Sequence, residues 1–155
     1  MGERYLKSVR LLAECLQGFE RFSGGSVRRS GLTHAQFDII ATLGNTPGMP
    51  YKELGDKTLI TKGTLTGVIE RLESKGLVLR TRCLDDKRSF YVALTDQGHK
   101  VFAEVFPLVV AHGRQLFESY SEADFDAMDQ TLGKLKQLIT DRSTCPTTQQ
   151  QKEEF

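Results

Sequence analysis

Two helical patterns separated by a very short turn, followed at once by a switch to two-residue periodicity, restrict this chain more than any other feature. After Pro50, residues 51 to about 58 read as a short helix, and Thr61 reads as the N-cap of a second one that closes on Gly76 at its C′ position. Helices joined so closely predict a helix-turn-helix. On the second helix Leu65, Val68, Ile69 and Leu72 form the inward stripe, and Lys62, Gly63, Thr64, Thr66, Gly67, Arg71 and Lys75 fall outside it. From Leu77 the pattern alternates, with Leu77, Leu79, Thr81 and Cys83 on one side and Arg80 and Arg82 on the other. Asp85, Asp86, Lys87 and Arg88 make a charged turn, and Phe90, Val92 and Leu94 alternate along a returning strand. The expected fold is mainly α with a small β-hairpin, a winged helix-turn-helix.

The flanks are helical. Tyr5, Val9, Leu12, Leu16 and Phe19 lie on one stripe of a helix over residues 4–23, which Gly24 and Gly25 are expected to stop, with residues 26–31 as a loop. Thr33 and Gln36 then make a capping box, and Leu32 and Phe37 occupy the positions of a hydrophobic staple. That helix should reach Leu43 and end in the turn-rich stretch 44–48. Thr95 caps a long helix to about Ser119, with Val101, Val105, Leu108, His112 and Leu116 near one face and a kink expected at Pro107. Ser121 with Asp124, and Tyr120 with Phe125, start the last helix. There Phe125, Met128, Leu132, Leu135 and Ile139 repeat the seam seen at the start of the chain. The expected division is residues 1–31 as a first helix and loop, 32–98 as the winged helix-turn-helix lobe, 99–142 as the C-terminal helices, and 143–155 as a loosely ordered tail.

Charge separates along the chain although the net value is only +1. Residues 1–50 carry +2, residues 51–90 carry +3 and residues 91–155 carry −4, so the basic excess peaks over the helix-turn-helix and hairpin. No apolar run approaches the roughly 20 residues that cross a bilayer, and the charged start has no signal-like apolar block behind it. Cys15, Cys83 and Cys145 are odd in number and widely spaced, which excludes a disulfide framework and fits a reducing cytoplasm. There is no HExxH, GxSxG or phosphate-binding glycine loop, so enzyme classes have nothing to stand on.

A small, polar, basic helix face suits the major groove, because threonine hydroxyls meet base edges and threonine methyls meet thymine. Gly63 and Gly67 cost a helix about 1 kcal/mol each relative to alanine, and close approach to a ligand or another backbone is a reason to keep them. At the hairpin tip an arginine such as Arg88 can enter a narrow minor groove, with Asp86 two residues earlier holding its guanidinium. The alternative for that turn is an exposed ion pair of little consequence.

Leu32, Thr33 and Gln36, then Glu53 and Leu54, then Lys62, Gly63 and Thr64 to Leu72, then Lys75 to Val78, and finally Asp86, Arg88, Val92, Leu94, Thr95 and Gly98 stand in an order and spacing that resemble the MarR family of bacterial transcriptional regulators. The resemblance covers roughly residues 32–98. It implies a homodimer with interlocked terminal helices that binds a pseudo-palindromic operator in double-stranded DNA, most often as a repressor. It also implies base contacts from Thr61, Lys62, Gly63, Thr64 and Thr66, a phosphate contact from Arg71 and a minor-groove contact from Arg88; Lys75 is a further DNA-binding candidate, and Arg71 and Lys75 are alternatively simple surface charges. Lys87 stands where many members carry a second arginine, which keeps the charge and loses the fork. Independently, the seams Val9, Leu12, Leu16 and Phe125, Met128, Leu132, Leu135, Ile139 have no evident partner within a small lobe, and dimerisation would bury them.

Family members commonly release DNA when a small phenolic or other aromatic acid binds between the dimerisation helices and the lobe. No cofactor is required by such a mechanism. Candidate pocket residues are Phe19, Phe22, Phe37, His34 and Arg10 or Arg21, and Cys15 lies in the same region of the first helix. Cys15 also recommends a peroxide-sensing alternative, but it has no cationic sequence neighbour to activate it. The widely spaced His34, His99 and His112 offer no metal-binding cluster, although His112 with Cys15 or Glu104 is a remote possibility within a dimer. A winged-helix protein-interaction module is the remaining class, disfavoured by the basic outward face.

Overall fold

At the starts of three helices in this chain a side chain satisfies backbone groups that the helix leaves open. The computed structural model describes residues 3–85 and 88–143. The chain divides into two units, one ending at Leu116 and one beginning at Phe117. The first contains α1 (Arg4–Arg29), α2 (His34–Leu43), β1 (Met49–Pro50), α3 (Tyr51–Thr58), α4 (Lys62–Ser74), β2 (Val78–Arg82), β3 (Phe90–Leu94) and α5 (Asp96–Arg114). The second contains α6 (Glu122–Ser143).

Three caps predicted from local sequence are present. Thr33 Oγ1 accepts the Gln36 N–H at 3.2 Å while Gln36 Oε1 accepts the Thr33 N–H at 3.1 Å. Thr95 Oγ1 accepts from Gly98 N at 3.0 Å, and Asp124 with Ser121 closes the first turn of α6. At the far end of α4, Gly76 adopts φ +72°, Gly76 N donates to Glu73 O at 2.9 Å and Leu77 N donates to Leu72 O at 3.0 Å, a Schellman closure.

Five expectations need correction. Gly24 and Gly25 do not stop α1, and residues 26–29 are helix; the glycine that ends it is Gly31, at φ +76°. Gly24 serves close packing instead, because a Cβ there would lie 3.3 Å from His34 Nε2. The two faces of β2 are exchanged: Val78 is buried and Leu79 is 54% exposed, since Leu77 is absorbed into the cap of α4 and alternation starts one residue later. Leu108 is 67% exposed and off the buried face of α5, and the α-helical span closes at Arg114 with a 3₁₀ turn, Gln115–Phe117. Finally, the hairpin gains a third strand: β1 pairs antiparallel with β3, Met49 opposite Val92, giving the order β1-β3-β2. Gly48 at φ +106° admits this pairing, and Tyr91 Oη donates to its carbonyl at 2.8 Å.

The core of the first unit brings Ile39, Ile40 and Leu43 of α2 against Leu54 of α3, Leu65, Ile69 and Leu72 of α4, and Val92 of β3. This core positions the exposed face of α4. In the second unit Phe117, Tyr120 and Phe125 pack as a trio with ring centroids 5.2–5.6 Å apart, and Leu132, Leu135 and Ile139 are exposed.

Candidate nucleic-acid interface

α4 presents two opposite faces because its apolar residues recur at helical spacing. Leu65, Val68, Ile69 and Leu72 are buried, and Thr61, Lys62, Gly63, Thr64, Thr66, Arg71 and Lys75 are exposed. Thr61 occupies the N-cap, yet its hydroxyl does not cap the helix: Oγ1 donates to Thr64 Oγ1 at 3.1 Å. The N-cap side chain therefore makes no hydrogen bond to the first turn of α4. Thr66 Oγ1 turns back toward Lys62 O at 3.4 Å. Beyond the helix's own backbone and the adjacent residues, no atom of the described residues lies within 4 Å of a Cβ placed on Gly63 or Gly67.

The wing is locked to α4 at its base. Arg80 on β2 meets Glu73 on α4 through Nη2 at 2.8 Å and Nε at 3.0 Å, a fork that holds the guanidinium more firmly than a point charge would be held. That hydrogen bond also raises the Arg80 pKa above its ordinary value. The same guanidinium lies 5.3 Å over the Phe90 ring, with Arg82 at 5.7 Å. At the tip, Cys83 N donates to Ser89 O at 3.0 Å, and Arg88 is exposed. Asp86 and Lys87, expected to orient Arg88 and to add charge, lie outside the described residues.

Between α3, α4 and the wing runs a cleft of about 660 Å³, with Lys52, Lys62, Arg80 and Arg88 among its lining residues. Its wall includes Tyr51, whose buried hydroxyl has no hydrogen-bond partner among the described residues. Lys52 and Tyr51 carry no signal in the sequence beyond standing at the start of a short helix.

Lys75, a DNA-binding candidate in the sequence, makes hydrogen bonds within the chain. It sits at the C-cap of α4, and its ammonium donates to Gly31 O at 2.8 Å and Gln36 Oε1 at 3.2 Å.

The residues expected to gather around an effector do not all converge. A cleft of about 520 Å³ between α1 and the start of α2 is walled by Glu20, Arg21, Gly24, Arg28, Thr33 and His34, among others. Of the expected set only His34, and Arg21 as the alternative to Arg10, line it. Arg10 is paired with Glu14 at 2.8 Å on the exposed side of α1, and Cys15 and Phe19 are exposed on the same helix. Phe22 stacks on His112 at 4.1 Å, and Phe37 lies 6.5 Å from Phe106. His34 Nε2 lies 2.9 Å from Glu20 O and His112 Nε2 lies 3.1 Å from Phe22 O, so two histidines fasten α1 to α2 and α5. Desolvation by burial raises the Asp38 pKa, opposed by the nearby His34 and reinforced by Glu20. Among the described residues no group of three or more His, Cys, Asp or Glu is placed to hold a metal ion. No described helix is long and apolar enough to cross a membrane.

With this geometry in place, the comparisons decide the family. The MarR family model matches residues 32–90, the helix-turn-helix and most of the wing. The homoprotocatechuate degradative operon repressor of Escherichia coli is 32% identical over 115 residues, covering 73% of this chain and 74% of that protein. The chain belongs to the MarR family. It is a DNA-binding transcriptional regulator rather than an enzyme. Among solved MarR-family folds, AbsC of Streptomyces coelicolor superposes with a TM-score of 0.81 at 23% identity, over 91% of this chain and 97% of that one. BpsR of Bordetella bronchiseptica, studied for the regulation of its DNA binding by 6-hydroxynicotinic acid, superposes with a TM-score of 0.75 at 25% identity, over 84% and 98%.

Proposed function

We propose that this MarR-family chain is a dimeric repressor that reads a pseudo-palindromic operator and lets it go when a small aromatic acid binds. The carrying observation is the outward face of α4, which is small, polar and basic and is held to the wing by the Arg80–Glu73 fork. Thr61, Lys62, Gly63, Thr64 and Thr66 then face base edges in the major groove, Arg71 faces a phosphate, and Arg88 enters the flanking minor groove. Residues 32–98 form the DNA-binding lobe in this reading, with residues 1–31 and 99–142 supplying the dimer helices. Among the described residues no other element crowds a Cβ at Gly63 or Gly67, and close approach of the duplex is what recommends two poor helix formers on that face.

The second copy is called for by the exposed seams. Leu16 is 60% exposed on α1, and Leu132, Leu135 and Ile139 are exposed on α6. A two-fold dimer would cover such seams and set the recognition helices about one turn of DNA apart. The α1–α2 cleft, with Arg21 and Arg28 in its wall, suits a carboxylate, and the aromatic acid acting on BpsR favours that class of effector. An effector of this kind works by binding the DNA-incompetent geometry more tightly. The regulator would act in the cytoplasm, where the operator is.

Selection of duplexes from a random pool by the purified protein, followed by anisotropy titration against salt and random competitor, tests the reading. A two-fold-related consensus, resistant to competitor and with a steep negative salt slope, is the expected result; recovery of no consensus would sink it. Sedimentation of Leu135→Asp should give monomer, and an intact dimer would remove the α6 seam from the interface. Gly67→Ala should separate stability from binding: the helix gains up to about 1 kcal/mol from propensity while operator affinity falls. Equal or better operator binding by that variant would refute close approach at this position.

A further inference from the structure

Recognition of bases depends on where the N-terminal half of α4 lies, and that is set by what holds its other end. The Lys75 ammonium donates to the Gly31 carbonyl at 2.8 Å and to Gln36 Oε1 at 3.2 Å. Gln36 is only 4% exposed, and the same amide oxygen accepts the Thr33 N–H in the capping box of α2. One buried acceptor therefore serves both the first turn of α2 and the last turn of α4. The adjoining residues bind the other neighbour: Thr95 Oγ1 donates to Gly76 O at 2.6 Å and Thr95 N donates to Leu77 O at 3.1 Å, joining this corner to α5. The turn that receives Lys75 also supplies Leu32, Thr33 and His34 to the wall of the α1–α2 cleft.

We infer that Lys75 is a positioning residue for operator recognition, fixing the tilt of α4 against α2 through Gln36 and Gly31 rather than touching DNA. This rests on the reading of α4 as the recognition helix. Leverage links the two ends of the helix. α4 has 13 residues, and at 1.5 Å per residue a tilt of about 5° at its C-terminal anchor moves the Thr61–Thr64 end by roughly 1.5 Å. A base hydrogen bond does not survive a displacement of that size, whereas attraction to phosphates changes gradually with distance. Losing the anchor should therefore erode discrimination between sequences and leave overall attraction to DNA in place. A phosphate contact would do the reverse, weakening all duplexes alike and making the salt dependence shallower by about one unit.

The test uses the full-length protein and a duplex that it selects from a random pool, with anisotropy on that duplex and on random DNA from about 50 to 200 mM salt. Lys75→Met keeps the aliphatic stem and removes the donors. It is expected to cut the preference for the selected duplex roughly tenfold, with random-DNA affinity and salt slope unchanged. Lys75→Arg, which keeps a cationic donor, should restore most of the preference. Lys75→Met added to Gln36→Met should cost little more preference than Gln36→Met alone, because Gln36→Met already removes the side-chain acceptor that Lys75 uses. Equal losses on both duplexes with a shallower slope would overturn the proposal in favour of a phosphate contact, and an unchanged preference would overturn it outright. If melting curves show that Lys75→Met does not fold, Lys75→Gln is judged by the same two criteria. Failure of the unaltered protein to select any duplex would overturn the recognition-helix reading itself, an outcome separate from those.

Discussion

Gly98→Ala is expected to cost the first unit roughly 3 kcal/mol of stability, read as a lower denaturant midpoint with an unchanged slope. Gly98 is buried in the first turn of α5, and a Cβ there would overlap the Leu77 carbonyl oxygen and crowd Leu94 Cβ at 3.2 Å. The obstacle is backbone, so no side chain can swing aside. Relief requires α5 to move off the corner, which strains the Thr95 bonds to Gly76 O and Leu77 O and the cap at Gly98 N. Because that corner also closes α4, operator binding should fall together with stability. A midpoint within the error of the parent would mean that the corner is softer than its geometry indicates.

Arg88→Ala should weaken binding to the selected operator by about 10- to 100-fold at moderate salt, with the lobe still folded. Arg88 is exposed at the wing tip, beyond the base that Arg80 and Phe90 hold in place, so its removal leaves the lobe's core untouched. If it lies in the minor groove, the loss should be largest for operators whose flanks are A·T-rich, where the groove is narrow and its potential strongest. An equal loss on every flanking sequence would move Arg88 from the groove to the phosphate backbone, and no loss would remove the wing from the interface.

Much of this was readable one turn at a time. Thr33 with Gln36, Thr95 with Gly98, and Gly76 after α4 each close within about four residues, so sequence neighbours carry all the needed atoms. The buried stripe of α4 follows from spacing alone, and with it the exposed face that faces DNA in the proposed reading. The face of β2 was misread for an instructive reason: Leu77 is apolar and in phase with Leu79, but the Schellman closure claims it, and the buried strand position is Val78. Gly24 and Gly25 resembled a stop because glycine is costly in a helix. For Gly24 what outweighs that cost lies in α2, where His34 needs the space that a methyl group would take.

The effector residues illustrate the same limit. Arg10 and His34 were grouped by chemistry, yet Arg10 pairs with Glu14 on an exposed turn while His34 closes on the Glu20 carbonyl. Nothing in the spacing of α1 distinguishes its anchored end from the end whose seam is exposed.

By itself the sequence determined the helix-turn-helix, the hairpin, their caps and the family, because periodicity and capping are short-range and each is closed by atoms a few residues apart. Only the tertiary structure decided that Lys75 reaches Gly31 and Gln36, that Met49 adds a third strand beside Val92, and that Glu73 grips Arg80. The Lys75 and Met49 contacts join residues about 40 positions apart, and the Glu73–Arg80 pair crosses from a helix to a strand, so all three exist only after the core of α2, α3 and α4 has brought their elements together. A polar side chain's choice among several acceptors is settled by that arrangement, since at the level of sequence a lysine at the end of a basic helix face is equally suited to a phosphate and to a carbonyl.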